Sequence, residues 1–242
     1  MKRVEGVRAV TYDCWGTLLK DRNWEGAMQI RIGALSDFLN IDEGEAGDLL
    51  AEAWAKHDEA WKQVETFGPG RMAAYCLQAR AITDDEALRS LTKQFEEASL
   101  VYGVEAVEGA VEVLSALRAA GIRVALVCDT GLTPGRVVRQ LLDDVGLLPH
   151  LEVQCFSDEV GVPKPGNEIF AKALAELGVR PPEAVHVGDL RRTDIAGARD
   201  IGMHAIRFRG IHDDRSDIVD ADIVIDSHAQ LLEVIGIEER AA

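Results

Sequence analysis

The sequence predicts an α/β protein: a parallel sheet covered by helices, carrying an all-helical insert. Two observations point there. From about residue 104 onward, short apolar runs ending in polar residues alternate with helical periods, whereas residues 22–102 show helix periods and almost no strand signal.

Taken in order, residues 7–12 form the first strand of the sheet. In the insert that follows, Leu50, Trp54, His57, Trp61 and Val64 share one helical face. Such a stripe is the packing face of a bundle; the alternative is a ligand role for His57 or an aromatic box of Trp54 and Trp61. Thr83 with Glu86 makes a capping box ahead of ALRSLTKQFEEASL.

Beyond the insert, Gly121 closes the helix EGAVEVLSALRAA, and VALVC at 124–128 is the next strand. Thr133 and Pro134 open PGRVVRQLL, EVQCF at 152–156 is a strand, and Pro165 opens GNEIFAKALAEL, which Gly178 closes. AVHVG at 184–188, HAIRF at 204–208 and DIVID at 222–226 complete the sheet. The expected organisation is a core of residues 1–21 and 103–242 interrupted by a helical domain of 22–102.

Of the 242 residues, 47% are apolar, enough for a sizeable core, and 26 basic against 42 acidic residues leave a formal charge of -16. That balance argues against nucleic acid or an anionic membrane surface as partner, since both need Lys and Arg to replace counterions. MKRVEGVRAV lacks the apolar stretch of a signal peptide, and no segment approaches the roughly 18 apolar residues of a membrane span, so a cytoplasmic protein is expected. Cys14, Cys76, Cys128 and Cys155 lack CxxC spacing and are expected as free thiols. A homodimer is compatible with all of this.

Loops at the carboxyl ends of parallel strands converge on one crevice. Asp13 follows the first strand; Cys128, Asp129 and Thr130 end the second; Lys164 lies after the third; Asp189 and Asp194 follow the fourth. Singly, each has an ordinary explanation: an Asp capping a turn or helix, as Asp194 would cap IAGARDI, or a lysine in a solvated loop. Clustered carboxylates, however, repel unless a cation joins them, and Mg2+ suits one or two carboxylates with waters and a phosphate oxygen.

DCWGTLL, VCDTG, the lysine of VPKPG and GDLRRTD, in this order, resemble the four motifs of the haloacid dehalogenase superfamily, in particular subfamily I with a helical C1-type cap. The resemblance implies a Rossmann-like core with residues 22–102 as the cap. It implies Asp13 as nucleophile forming an aspartyl-phosphate, with Lys164 as its catalytic partner, and Mg2+ held by Asp13, the Trp15 carbonyl, Asp189 and Asp194. Phosphate binding falls to Trp15, Gly16, Cys128, Asp129, Thr130 and Lys164, with Gly16 turning the first loop and Thr17 bracing it.

Two departures stand out. Phosphatases of this superfamily carry an Asp as proton carrier two residues after the nucleophile, where this chain has Trp15, and Cys128 occupies the place of a phosphate-binding hydroxyl. The expected function is a Mg2+-dependent phosphatase of a small phosphorylated metabolite. A 2-haloacid dehalogenase, whose first motif has an aromatic residue where Trp15 stands but whose fourth lacks the acid Asp189, and a binding or regulatory protein with weak turnover are the alternatives. Arg22, Asn23 and Trp24 are open to substrate contact or to surface packing.

Overall fold

The computed structural model describes residues 3–237. The chain runs β1 (Ala9–Tyr12), β2 (Leu19–Asp21), α1 (Trp24–Leu39), α2 (Glu43–Lys62), α3 (Pro69–Gln78), α4 (Asp85–Tyr102), β3 (Val104–Ala106), α5 (Ala110–Ala119), β4 (Arg123–Cys128), α6 (Gly135–Asp144), β5 (Val153–Phe156), α7 (Ser157–Val160), α8 (Asn167–Leu177), β6 (Ala184–Gly188), α9 (Ala196–Asp200), β7 (His204–Phe208), β8 (Ile223–Ile225) and α10 (His228–Val234). The described residues divide into two compact units, one of residues 3–20, 105–129 and 142–237, the other of 21–104 and 130–141.

The first unit is built on a six-stranded sheet in the order β5-β4-β1-β6-β7-β8, every neighbour parallel. Parallel strands need helical crossovers that cover both faces, which is why these strands read as nearly unbroken apolar runs. One face packs Ala9, Ala125, Val127 and Cys155 against Ile169, Phe170 and Leu174 of α8. From β1 the chain builds β4 and β5 to one side, then returns to place β6, β7 and β8 on the other. That reversal at β1 is the switch point where an open α/β sheet leaves a crevice at its strand ends.

In the second unit, α1 to α4 enclose Leu35, Leu50, Met72, Cys76, Leu91 and Phe95. Arg31 is fully buried among them, its Nε donating to the Phe95 carbonyl at 2.9 Å and Nη2 to Ser99 Oγ at 2.9 Å. Residues 130–141, placed with the α/β part in the sequence reading, group with this helical unit. Leu132 joins its apolar core, and Thr133 Oγ1 hydrogen-bonds Ser99 Oγ at 2.9 Å.

Local details correct the sequence reading at Thr83 and Val64, support it at His57 and add two short strands. Asp84, not Thr83, caps α4, accepting from the Ala87 amide at 2.8 Å, because the helix begins one residue later than expected. Val64 lies beyond α2 with φ of 62°, outside the stripe. His57 Nδ1 is engaged by the Phe67 carbonyl at 2.9 Å, and its ring packs on Trp54 at 4.8 Å, a packing role. The short β2 and β3 form a separate two-stranded sheet. Asn23 caps α1 through Gly26, and Trp24 sets its edge on Trp54. No helix among the described residues is long and apolar enough to cross a membrane.

Candidate active site

The ladder of β1 continues one residue past the strand: the Asp13 amide donates to the Val187 carbonyl at 2.9 Å, fixing Asp13 at the carboxyl edge of the sheet. The chain then turns tightly. Leu18 and Leu19 amides both donate to the Cys14 carbonyl, and Gly16 donates to Leu19. Gly16 sits at φ of 78°, and a Cβ there would stand 2.9 Å from Oδ2 of Asp189, so the position needs glycine for conformation and for space.

Lys164 reaches this edge from the loop after α7. Its amide donates to Asp129 Oδ1 at 2.8 Å, so Asp129 holds the loop that carries the lysine. The ammonium, only 2% exposed, donates to Asp13 Oδ1 at 2.5 Å and to Asp194 Oδ1 at 2.7 Å.

Asp194 lies in the π-helical turn Arg191–Ile195 that leads into α9. Its Oδ2 accepts from the Leu190 amide at 3.0 Å, pinning the start of the turn, while Oδ1 faces Lys164. Asp194 therefore joins the site and does not cap the helix that follows it, which has no side-chain cap bond. Gly188 lets it in: a Cβ there would meet the Asp194 carboxyl carbon at 2.3 Å.

Oxygens of Asp13, Asp189 and Asp194 lie within 4.8 Å of one another, all buried. Burial pushes the Asp13 carboxyl up to about 6 against the pull of Lys164, and burial with repulsion from Asp13 and Asp194 pushes Asp189 up to about 8. Burial would raise Asp194 too, but Lys164 and His186 hold it below the usual range. Lys164 is kept charged: burial works against its ammonium, and the acids Asp13, Asp194 and Asp129 overcome that. Three acids share one lysine, an excess of negative charge on oxygen donors that fits a hard divalent cation.

The family model of haloacid dehalogenase-like hydrolases matches residues 7–202, from β1 through α9. The chain belongs to this family of hydrolases. It is 34% identical over 210 residues to "Haloacid dehalogenase-like hydrolase domain-containing protein 3" of Xenopus laevis, covering 82% of this chain and 83% of that protein. It is 29% identical over 239 residues to "Glyceraldehyde 3-phosphate phosphatase" of Methanopyrus kandleri, covering 95% of this chain and 97% of the relative. The crystal structure of a HAD phosphatase from Thermococcus onnurineus superposes with a TM-score of 0.68 at 24% identity over 97% of this chain and 100% of that one, a likeness of fold.

In this haloacid dehalogenase-like hydrolase, Asp13, Lys164, Asp189 and Asp194 meet at neighbouring strand ends. Trp15 is half-buried in the loop between Asp13 and Gly16. The Cys128 thiol is fully buried and donates to the Asp129 carbonyl at 3.3 Å, and a hydrogen bond with Cys14, together with burial, pushes it well above the usual thiol range. Thr130 falls in the helical unit. The Thr17 hydroxyl, expected to brace the first loop, has no hydrogen-bond partner among the described residues; the loop is held instead through the Thr17 carbonyl, which accepts from His228 Nε2 at 3.0 Å.

Sequence reasoning missed His186 and Asp214. His186 touches Asp194, and Asp214 accepts from the Arg191 amide at 2.7 Å, tying down the same turn. The signal for His186 was present: a polar residue in the middle of an otherwise apolar, two-sided buried strand.

Proposed function

We propose that this hydrolase is a Mg2+-dependent phosphatase acting on a small phosphorylated metabolite through an aspartyl-phosphate at Asp13. The observation that carries the reading is Asp189 buried against the Gly16 loop beside the Asp13–Lys164 pair. A second carboxylate there has no use in displacing halide from carbon, whereas a metal-assisted phosphoryl transfer requires it. The relative named a glyceraldehyde 3-phosphate phosphatase supports a small phosphate ester as substrate.

In this reading an oxygen of Asp13 attacks phosphorus as the ester P–O bond breaks, and the departing alkoxide takes a proton from solvent, since the loop carries no acid to give one. Water then attacks the same phosphorus, the bond to Asp13 breaks, and phosphate leaves with the carboxylate restored. Lys164 offsets charge on Asp13 and on the transferring group, the main contribution a protein makes to this reaction. Asp13, Asp189 and the Trp15 carbonyl would hold Mg2+, which would supply further positive charge for the transfer. Asp194, both of whose oxygens accept protein hydrogen bonds, acts chiefly through Lys164. Residues 22–102 are the cap in this reading.

Trp15 gives the site its particular character. Indole neither gives nor takes a proton near neutrality, and positioned acid/base help is typically worth about 100- to 10,000-fold. Substrates with acidic leaving groups are therefore favoured over simple alkyl phosphates. Phosphate release from an aryl phosphate, with and without Mg2+ and beside Asp13→Asn, tests the reading; metal-independent chloride release from 2-chloropropionate would replace it.

A further inference from the structure

His186 occupies the centre of β6, paired in register with Thr11 of β1, so both side chains emerge on the same face of the sheet. Thr11 Oγ1 lies 2.8 Å from Nδ1, and Asp194 Oδ1 lies 3.1 Å from Nε2. Phe170 of α8 meets the imidazole edge-on, with ring centroids 5.0 Å apart at 88°. The ring is fully buried and fixed from three sides.

These contacts determine the tautomer. A carboxylate oxygen only accepts, so Nε2 carries the hydrogen; Nδ1 then accepts from the Thr11 hydroxyl. The same Asp194 oxygen takes the Lys164 ammonium, whose other bond goes to Asp13. A continuous chain thus runs Thr11, His186, Asp194, Lys164, Asp13. An apolar residue would fill this place in a buried strand without the desolvation cost of an imidazole, so packing alone does not account for the histidine.

We propose that His186 is a positioning residue: through its Nε2–H it holds the Asp194 carboxylate where that group anchors Lys164 against Asp13. The proposal deepens, and rests on, the reading of Asp13 and Lys164 as catalytic groups. Thr11 is the outer support, since its hydroxyl sets which imidazole nitrogen carries the hydrogen.

The test combines two readouts on the full chain. Long-range 1H–15N spectra of the wild type are expected to show His186 as the neutral Nε2–H tautomer; an Nδ1–H tautomer overturns the proposal. In kinetics with p-nitrophenyl phosphate and Mg2+, His186→Leu is expected to lower kcat about 10- to 100-fold, the usual cost of losing a group that orients a site residue, with KM little changed. His186→Gln, which keeps an N–H donor, is expected to restore most of that loss. Wild-type kcat in a folded His186→Leu, or equal losses in Leu and Gln, overturns the proposal. Should the Leu variant not fold, Thr11→Val serves, with a several-fold drop in kcat expected and wild-type kcat overturning. A wild type that hydrolyses no phosphate overturns the activity reading alone; the Lys164 ammonium 15N signal, expected in wild type and His186→Gln but broadened away in His186→Leu, then decides the positioning role.

Discussion

A Cβ on Gly16 would stand 2.9 Å from Oδ2 of Asp189, closer than real side chains approach. The turn after the nucleophile and the acid after β6 are thus fitted to each other without room for one more carbon. Gly16→Ala also forces a left-handed backbone on an L-residue, worth about 1–2 kcal/mol. The expected result is a loss of that size in urea unfolding together with weaker Mg2+ binding by calorimetry. Unchanged stability and affinity would contradict the close approach.

Lys164 stands between two buried carboxylates, 2.5 Å from Asp13 and 2.7 Å from Asp194. Removing one partner of a buried ion pair leaves uncompensated charge and typically costs about 3–5 kcal/mol. Lys164→Met is expected to lose stability on that scale in metal-free protein and to lose hydrolysis entirely. Denaturant unfolding beside an activity assay checks both, and a variant as stable as wild type would show that the lysine is not buried as described.

Trp15→Asp restores the proton carrier that the loop lacks. Turnover of alkyl phosphates is expected to rise, by up to about 100-fold or more if proton transfer limits the rate. Aryl phosphates, whose leaving groups need little protonation, should change far less. An equal or lower alkyl rate in a folded variant would count against the account of Trp15.

His228 stacks on Phe208 at 4.5 Å and donates Nε2–H to the Thr17 carbonyl, while its Nδ1 has no partner among the described residues. Burial lowers its pKa from the ordinary 6.5 to about 4. Between those values the unfolded chain binds the proton and the folded one does not. Stability is therefore fully present above pH 6.5 and falls as pH drops toward 4, by about 3 kcal/mol over the whole window. His228→Gln should flatten that part of the pH–stability curve; an unchanged slope would place the titration elsewhere.

The sheet was legible because strands buried on both faces are largely apolar along their length, as VALVC is throughout and AVHVG is apart from His186, with the site acids following their ends. The meeting of Asp13 with Lys164, 151 positions apart, followed from strand ends sharing one edge. Three-residue strands such as β2 and β3 carry too few side chains for a period to register. Nor does a local pattern reveal which body a segment packs against: PGRVVRQLL reads as a good helix whether Leu132 before it points to the sheet or to Phe95. His186 was passed over because its partner Thr11 lies 175 positions away, and only the register of β1 on β6 brings them together.

The proposed reaction makes Asp13 a phosphoryl-accepting nucleophile in a metal-assisted site. Phosphate release from p-nitrophenyl phosphate, measured with and without Mg2+ for wild type and Asp13→Asn, tests it most directly. Release by the wild type that requires Mg2+ and is abolished in Asp13→Asn is expected; release that persists in the folded variant, or that ignores the metal, would contradict a metal-assisted nucleophile at Asp13.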